Sequence, residues 1–147
     1  ITLFFCAGAI FVASGKTRVS ELNGIGKQMP FTMAAFTISS LSLIAFPPFA
    51  GFITKWYLIF GSIEAEQYYA VAVLVTSSIL NACYFLPIVY AAFFRDLPPG
   101  EKVERREAPT IAVVPLMLTA VAVVVLFFAP SVFLELATVV ASAAGGN

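Results

Sequence analysis

Pro47-Pro48-Phe49-Ala50-Gly51-Phe52-Ile53-Thr54-Lys55-Trp56-Tyr57 sits inside a long apolar run, and its reading decides the fold. Gln28–Thr54 is uncharged throughout, Lys55 stands alone, and Trp56–Ile63 is uncharged again. As one straight helix, Pro30–Ile63 would measure about 51 Å, well beyond the ~30 Å hydrocarbon layer of a bilayer. Each proline removes an amide donor and crowds the preceding turn, so the helix must break at Pro47-Pro48. Gly51 then permits close backbone approach or an unusual φ. Two half-helices are expected, roughly Phe31–Phe46 and Phe49–Ile63. A break at membrane depth frees backbone amides and carbonyls, which is tolerated only beside protein or a water-filled cavity.

The composition places the whole chain in a membrane. Its 147 residues are 61% hydrophobic and 11% charged, with a mean hydropathy of +0.98. An average soluble protein has roughly 45–50% apolar and about 25% charged residues. So few charges cannot cover a soluble globule. A soluble enzyme and a disordered chain are excluded, and so is a nucleic-acid binder, which would need a basic excess that a net charge of zero does not supply. There is no His, hence no His-based metal site or acid–base pair. Cys6 and Cys83 lie far apart in apolar runs and read as buried lone thiols. No cofactor or metal is expected.

The gaps between charges draw the architecture. Gln67–Phe94 and Ala108–Leu134 are uncharged. Each is long enough to hold one span, which takes about 20 apolar residues. Strand alternation is missing, which argues against a membrane β-barrel. Ile1–Gly15 is also uncharged, but as a helix it makes only ~22 Å, too short to cross. With no basic n-region or cleavage site, it is no signal peptide. The expectation is a fragment that begins inside a membrane helix, forming one unit over residues 1–147.

Orientation follows from Lys and Arg. Lys16, Arg18 and Lys27 lie in one loop, and Arg95, Lys102, Arg105 and Arg106 in another. Placing segments 15–29 and 95–107 in the cytoplasm makes Pro30–Ile63 a single crossing and Gln67–Phe94 its return. The C-terminus is then outside. Tyr68 and Tyr69, and Tyr90, Phe93 and Phe94, fall near opposite interfaces. After Ala129-Pro130, the stripe Ser131, Glu135, Thr138 and Ser142 suggests a helix lying on the outer surface, the alternative being a continuation of the last span. The predicted fold is thus an all-α integral membrane bundle: one partial span, one Pro-broken span, two further spans and a short C-terminal interfacial helix.

Lys55 is nine residues before Glu64, about 13 Å from the outer boundary and near the midplane. An ionised lysine there costs about 2.5–3.5 kcal/mol. That is comparable to the ~4 kcal/mol separating an ordinary lysine from one that exchanges its proton near neutral pH, the property a proton relay needs. Two blander readings compete. Lys55 could snorkel to an interface if Pro47-Pro48 closed a hairpin, which would put the basic segment 95–107 outside, or it could form a purely structural ion pair. Intramembrane ionisable residues are functional as a rule, which favours the relay. Ser77, Ser78 and Asn81 would line a hydrated path or bond between helices. Pro87 reads as a kink. Gly24-Ile25-Gly26 carries no usable nucleotide signal, and Glu101–Glu107 reads as a solvated, membrane-flanking stretch.

The run Pro47–Tyr57 resembles the broken-helix motif of antiporter-like proton-translocating membrane subunits. These occur in NADH:quinone oxidoreductase (complex I), membrane-bound hydrogenases and Mrp-type Na⁺/H⁺ antiporters. Ser20–Gly26 with Met29-Pro30, and Asn81–Tyr90, are most similar to the MrpD branch of the antiporters. The likeness reaches to about Phe94, is specific around Lys55, and is loose from Glu101 onward. It implies a protein of about fourteen helices in two inverted repeats, each with a broken helix bearing a titratable residue. Residues 1–147 would be the second half of the second repeat plus the last helix, with Lys55 the midplane proton carrier. The first repeat with its Glu–Lys pair, and the family's His-Ala-x-x-Lys stretch, are not in this sequence, so it should not transport ions alone.

The implied function is that of a proton-translocating subunit of a multisubunit Na⁺/H⁺ antiporter in the cell inner membrane. Its partners would be other membrane subunits and the lipid bilayer, and its ions H⁺ and Na⁺. The alternative is an antiporter-like subunit of NADH:quinone oxidoreductase or a hydrogenase. No redox ligand is present, so in either case the chain is a transporter subunit without electron chemistry. A non-conducting assembly subunit is the third reading.

Overall fold

The computed structural model describes residues 1–100 and 104–144 and is all-helical, with no strand among them. Seven α-helices follow in order: α1 (Thr2–Ser14), α2 (Ile25–Gln28), α3 (Pro30–Ile44), α4 (Ala50–Glu64), α5 (Tyr68–Phe94), α6 (Thr110–Phe128) and α7 (Ser131–Ala144). By length and composition, α5 and α6 can each cross a membrane, while α1 and α3 are shorter apolar helices. Glu101 and Lys102, part of the charge pattern, lie outside the described residues.

Helix α3 is the hub, packing against α1, α4, α5 and α6. Its buried face is Thr32, Met33, Ala35, Ser39 and Ser40, mostly small or hydroxylated side chains that let neighbouring backbones approach closely. Around it gather Cys6, Ala9 and Ile10 of α1, Ala92 of α5, and Leu116 and Ala120 of α6. The Thr2 hydroxyl donates to Thr119 Oγ1 at 2.9 Å, tying α1 to α6. Cys6 is buried as expected, but Cys83 is exposed on α5, where no described helix covers its face.

The loop between α1 and α3 folds back onto the bundle. Ile25 and Met29 are fully buried, and the Gly24 amide donates to Ala91 O at 2.9 Å. Gly24 has φ 69°, and a Cβ there would meet the Leu97 amide nitrogen at 2.8 Å; one at Gly26 would meet Ala92 O at 2.9 Å. The Gly-x-Gly pair, without meaning as a nucleotide motif, lets the loop lie against the end of α5. Upstream, Glu21 Oε2 accepts the backbone N–H groups of Thr17 and Arg18 at 3.1 and 3.2 Å, closing a short 3₁₀ turn over Val19–Glu21.

The break lies between α3 and α4, two residues earlier than expected for the end of the first half. A residue before proline avoids the α region, so the helix must stop ahead of Pro47. Ala45 takes the left-handed conformation (φ 71°, ψ 44°). Phe46 N–H then donates to Leu41 O at 2.9 Å and Ala45 N–H to Ser42 O at 3.0 Å, the pairing that closes a helix with a left-handed residue. The Pro47–Pro48 bond is cis. Across the break, Gly51 N–H donates to Ser42 Oγ at 3.1 Å. A Cβ at Gly51 would run into the Ser42 carbonyl.

Two substitutions at these positions should shift the thermal midpoint of the purified protein. Ala45→Gly relieves the left-handed alanine and should raise the midpoint, by about 0.5–1 kcal/mol in stability. Gly51→Ala should lower it, by about 1–3 kcal/mol, because backbone must move. The two backbone donors hold the Glu21 carboxyl below its ordinary value of 4.5. Its stabilising effect is therefore present above pH 4.5 and is lost as pH falls through the lower folded-state value. Wild type and Glu21→Gln should differ in midpoint at pH 7 and converge in acid.

Candidate functional site

A helix leaves its last four carbonyls without internal partners. At the end of α3 the left-handed turn satisfies those of Leu41 and Ser42, and the next carbonyl, Leu43, is taken by a side chain. Lys55 reaches it from the second turn of α4: its Nζ donates to Leu43 O at 3.0 Å. The same Nζ donates to Ser78 Oγ on α5 at 2.7 Å, and the Ser78 hydroxyl donates to Leu74 O at 3.2 Å. The ammonium therefore sits on the negative end of the α3 dipole, where a cation is favoured. α3, α5 and α6 contain no Asp, Glu, Lys or Arg, and the two acceptors that the ammonium meets are both dipoles.

Lys55 also lines an open cavity of about 430 Å³ with Thr2, Ser39, Ser42, Gly51 and Thr54, the rest of the lining being apolar side chains such as Leu43, Leu58, Leu74 and Val123. Ser39 Oγ is buried and makes no hydrogen bond among the described groups. Buried hydroxyls are normally satisfied, by ordered water where protein supplies no partner. The cavity has room for several waters, and the Lys55 ammonium keeps a third N–H to offer.

Of the residues singled out in the sequence, the structure brings together Lys55 and Ser78, with Gly51 lining the same cavity as Lys55, while Pro47 and Pro48 occupy the break between α3 and α4. Ser77, next to Ser78, is exposed; Asn81 is half-buried, and neither lines the cavity with Lys55. Of the four hydroxyls that do line it, those of Thr2, Ser39, Ser42 and Thr54, the two on α3, Ser39 and Ser42, were not singled out. Their signal was the Ser39-Ser40 and Ser42 cluster one turn before the prolines. Glu107 corrects the reading of Glu101–Glu107 as merely solvated. Its Oε1 accepts Phe31 N–H at 2.7 Å and its Oε2 accepts the Thr32 hydroxyl at 2.9 Å. A carboxylate is favoured at a helix N-terminus, and here it arrives from 76 residues downstream.

Residues 1–81 match the model of the transmembrane family "NADH:quinone oxidoreductase/Mrp antiporter". The chain belongs to this family. It is a multi-pass membrane protein. It is 43% identical over 135 residues to NADH-quinone oxidoreductase subunit N of Desulforudis audaxviator, covering 84% of this chain and 27% of that protein. It is 29% identical over 108 residues to the antiporter subunit mnhD2 of Staphylococcus saprophyticus, covering 74% of this chain and 22% of the relative. In three dimensions it is similar to a chain of the Mrp complex from Dietzia sp. DQ12-45-1b. The TM-score is 0.85 at 26% identity, over 96% of this chain and 34% of that one. The chain thus spans about a quarter of the length of the curated relatives it matches.

Ser78→Ala leaves Lys55 with one protein acceptor in place of two. The expected outcome is a loss of about 1.5–3 kcal/mol, the range for a hydrogen bond to a charged group, seen as a lower thermal midpoint. Ser77→Ala, on the exposed side, should leave the midpoint unchanged.

Proposed function

We propose that this chain is the C-terminal part of a proton-translocating, antiporter-like membrane subunit, with Lys55 relaying the proton at the break in a discontinuous helix. The observation that carries the reading is the seat of the Lys55 ammonium. It rests on a free helix-end carbonyl and a hydroxyl, neither of which is charged, and it opens on a cavity where the Ser39 hydroxyl has no partner among the described groups. Neutral acceptors hold the ammonium without locking it into an ion pair. Loss of the proton leaves a neutral amine among groups that water can satisfy. Ser39 is placed to bind such a water, while Ser78 holds the side chain in position.

In this reading α3 and α4 together make one crossing, with segments 15–29 and 95–107 cytoplasmic and the C-terminus outside. Residues 1–147 correspond to the second half of a second inverted repeat plus the last helix. The complete protein works among other membrane subunits in the cell inner membrane. Coupling to Na⁺ in a cation/proton antiporter is supported by the likeness to a chain of an Mrp complex. Coupling to quinone reduction in an NADH:quinone oxidoreductase is the second reading, and the 43% identity to a subunit N, against 29% to an antiporter subunit, favours it.

Lys55→Ala in the full-length protein, assembled in its complex and reconstituted in vesicles, should abolish proton-coupled transport while assembly stays normal. Unchanged transport would remove the relay role. Proton uptake driven by NADH, as against uptake driven by an imposed Na⁺ gradient, separates the two couplings.

A further inference from the structure

Helix α3 is held at both ends by charged side chains that belong to other elements. Its N-terminal end offers orphan donors, and Pro30 at the first position has none, so Phe31 N–H is the first amide that needs a partner. Met29, before the helix, supplies no side-chain cap. Glu107 does, through both carboxylate oxygens, at 2.7 Å to Phe31 N–H and 2.9 Å to the Thr32 hydroxyl. Glu107 is itself anchored, because the preceding Arg106 N–H donates to Gln28 O at 3.0 Å and the following Ala108 is buried. Lys27, the basic residue nearest this end of α3 in sequence, pairs with Asp96 at 3.1 Å.

About 18 Å further along the helix from Phe31, the Leu43 carbonyl receives Lys55. A short, straight helix transmits displacement of one end to the other, because its hydrogen-bonded backbone is stiff over four turns. A hydrogen bond to Lys55 tolerates only a few tenths of an ångström before it weakens.

We infer that Glu107 is a positioning residue for Lys55: by clamping the N-terminal end of α3 it fixes the depth of the Leu43 carbonyl on which the ammonium rests. This rests on the relay reading of Lys55. The clamp also ties the entry of α6 to α3, so any movement of α6 along α3 must break it or carry the Leu43 carbonyl with it.

The test uses the complete subunit in its assembled complex. Glu107→Ala should accumulate in the membrane but lose roughly tenfold in proton-coupled transport, the scale of a lost charge-assisted hydrogen bond. Glu107→Gln should restore most of it, since the amide oxygen can accept from Phe31 N–H and the amide nitrogen can donate to the Thr32 hydroxyl. Hydrogen exchange adds a readout that a purely local cap would not move: in Glu107→Ala, protection should fall at Ala45 and Phe46, at the far end of α3. Should Glu107→Ala fail to accumulate, Thr32→Val removes one of the two donors and should show a smaller loss in the same direction. Wild-type transport and exchange in whichever variant assembles would overturn the inference. The relay reading fails separately: it falls if Lys55→Ala transports normally, whatever Glu107 does.

Discussion

A helix that breaks off leaves its last carbonyls without partners from its own backbone. Here that constraint falls on the last turn of α3, and the structure meets it in two ways. A left-handed residue folds two amides back onto the Leu41 and Ser42 carbonyls. A lysine from the next helix takes the Leu43 carbonyl. The charge that looks costly in an apolar run and the backbone that looks exposed at the break solve each other's problem. Without the other, each would lose a charge-assisted hydrogen bond, on the order of 1.5–3 kcal/mol.

The same constraint explains why α3 is the centre of the bundle. Its flanks carry small and hydroxylated residues, so α1, α5 and α6 can pack closely around it. Its ends carry opposite partners, a carboxylate at the positive pole and an ammonium at the negative one, matching the macrodipole. Gly51 completes the arrangement by letting α4 cross the end of α3 at a distance no Cβ would allow. Lys55, on the next turn of α4, is thereby brought within hydrogen-bonding reach of Leu43. The position of the lysine is set here by the way one helix ends and the next begins.

Much of this was legible in the chain because it is local. Two prolines stop a helix wherever they occur, the long charge-free runs are of membrane-spanning length, and a lone lysine between them stands out by arithmetic. What could not be read was partnership. Ser77, Ser78 and Asn81 are equivalent in sequence, yet only Ser78 points at the lysine, since which face of α5 turns inward depends on packing against α4. Ser39 and Ser42 could not be told from ordinary helix-packing serines until the cavity beside them was seen. Gly24 and Gly26 mark close contact with α5, a contact no motif predicts.

The sequence by itself determined that the chain is helical, lives in a bilayer and breaks one helix beside a lysine, because hydrophobic run length and proline geometry act over a few neighbouring residues. The tertiary structure alone decided what the lysine touches and that Glu107, in a stretch that reads as solvent-facing, caps a helix that begins far upstream at Pro30. Those choices turn on hydrogen bonds between segments far apart in the chain. Such contacts exist only once the helices have packed.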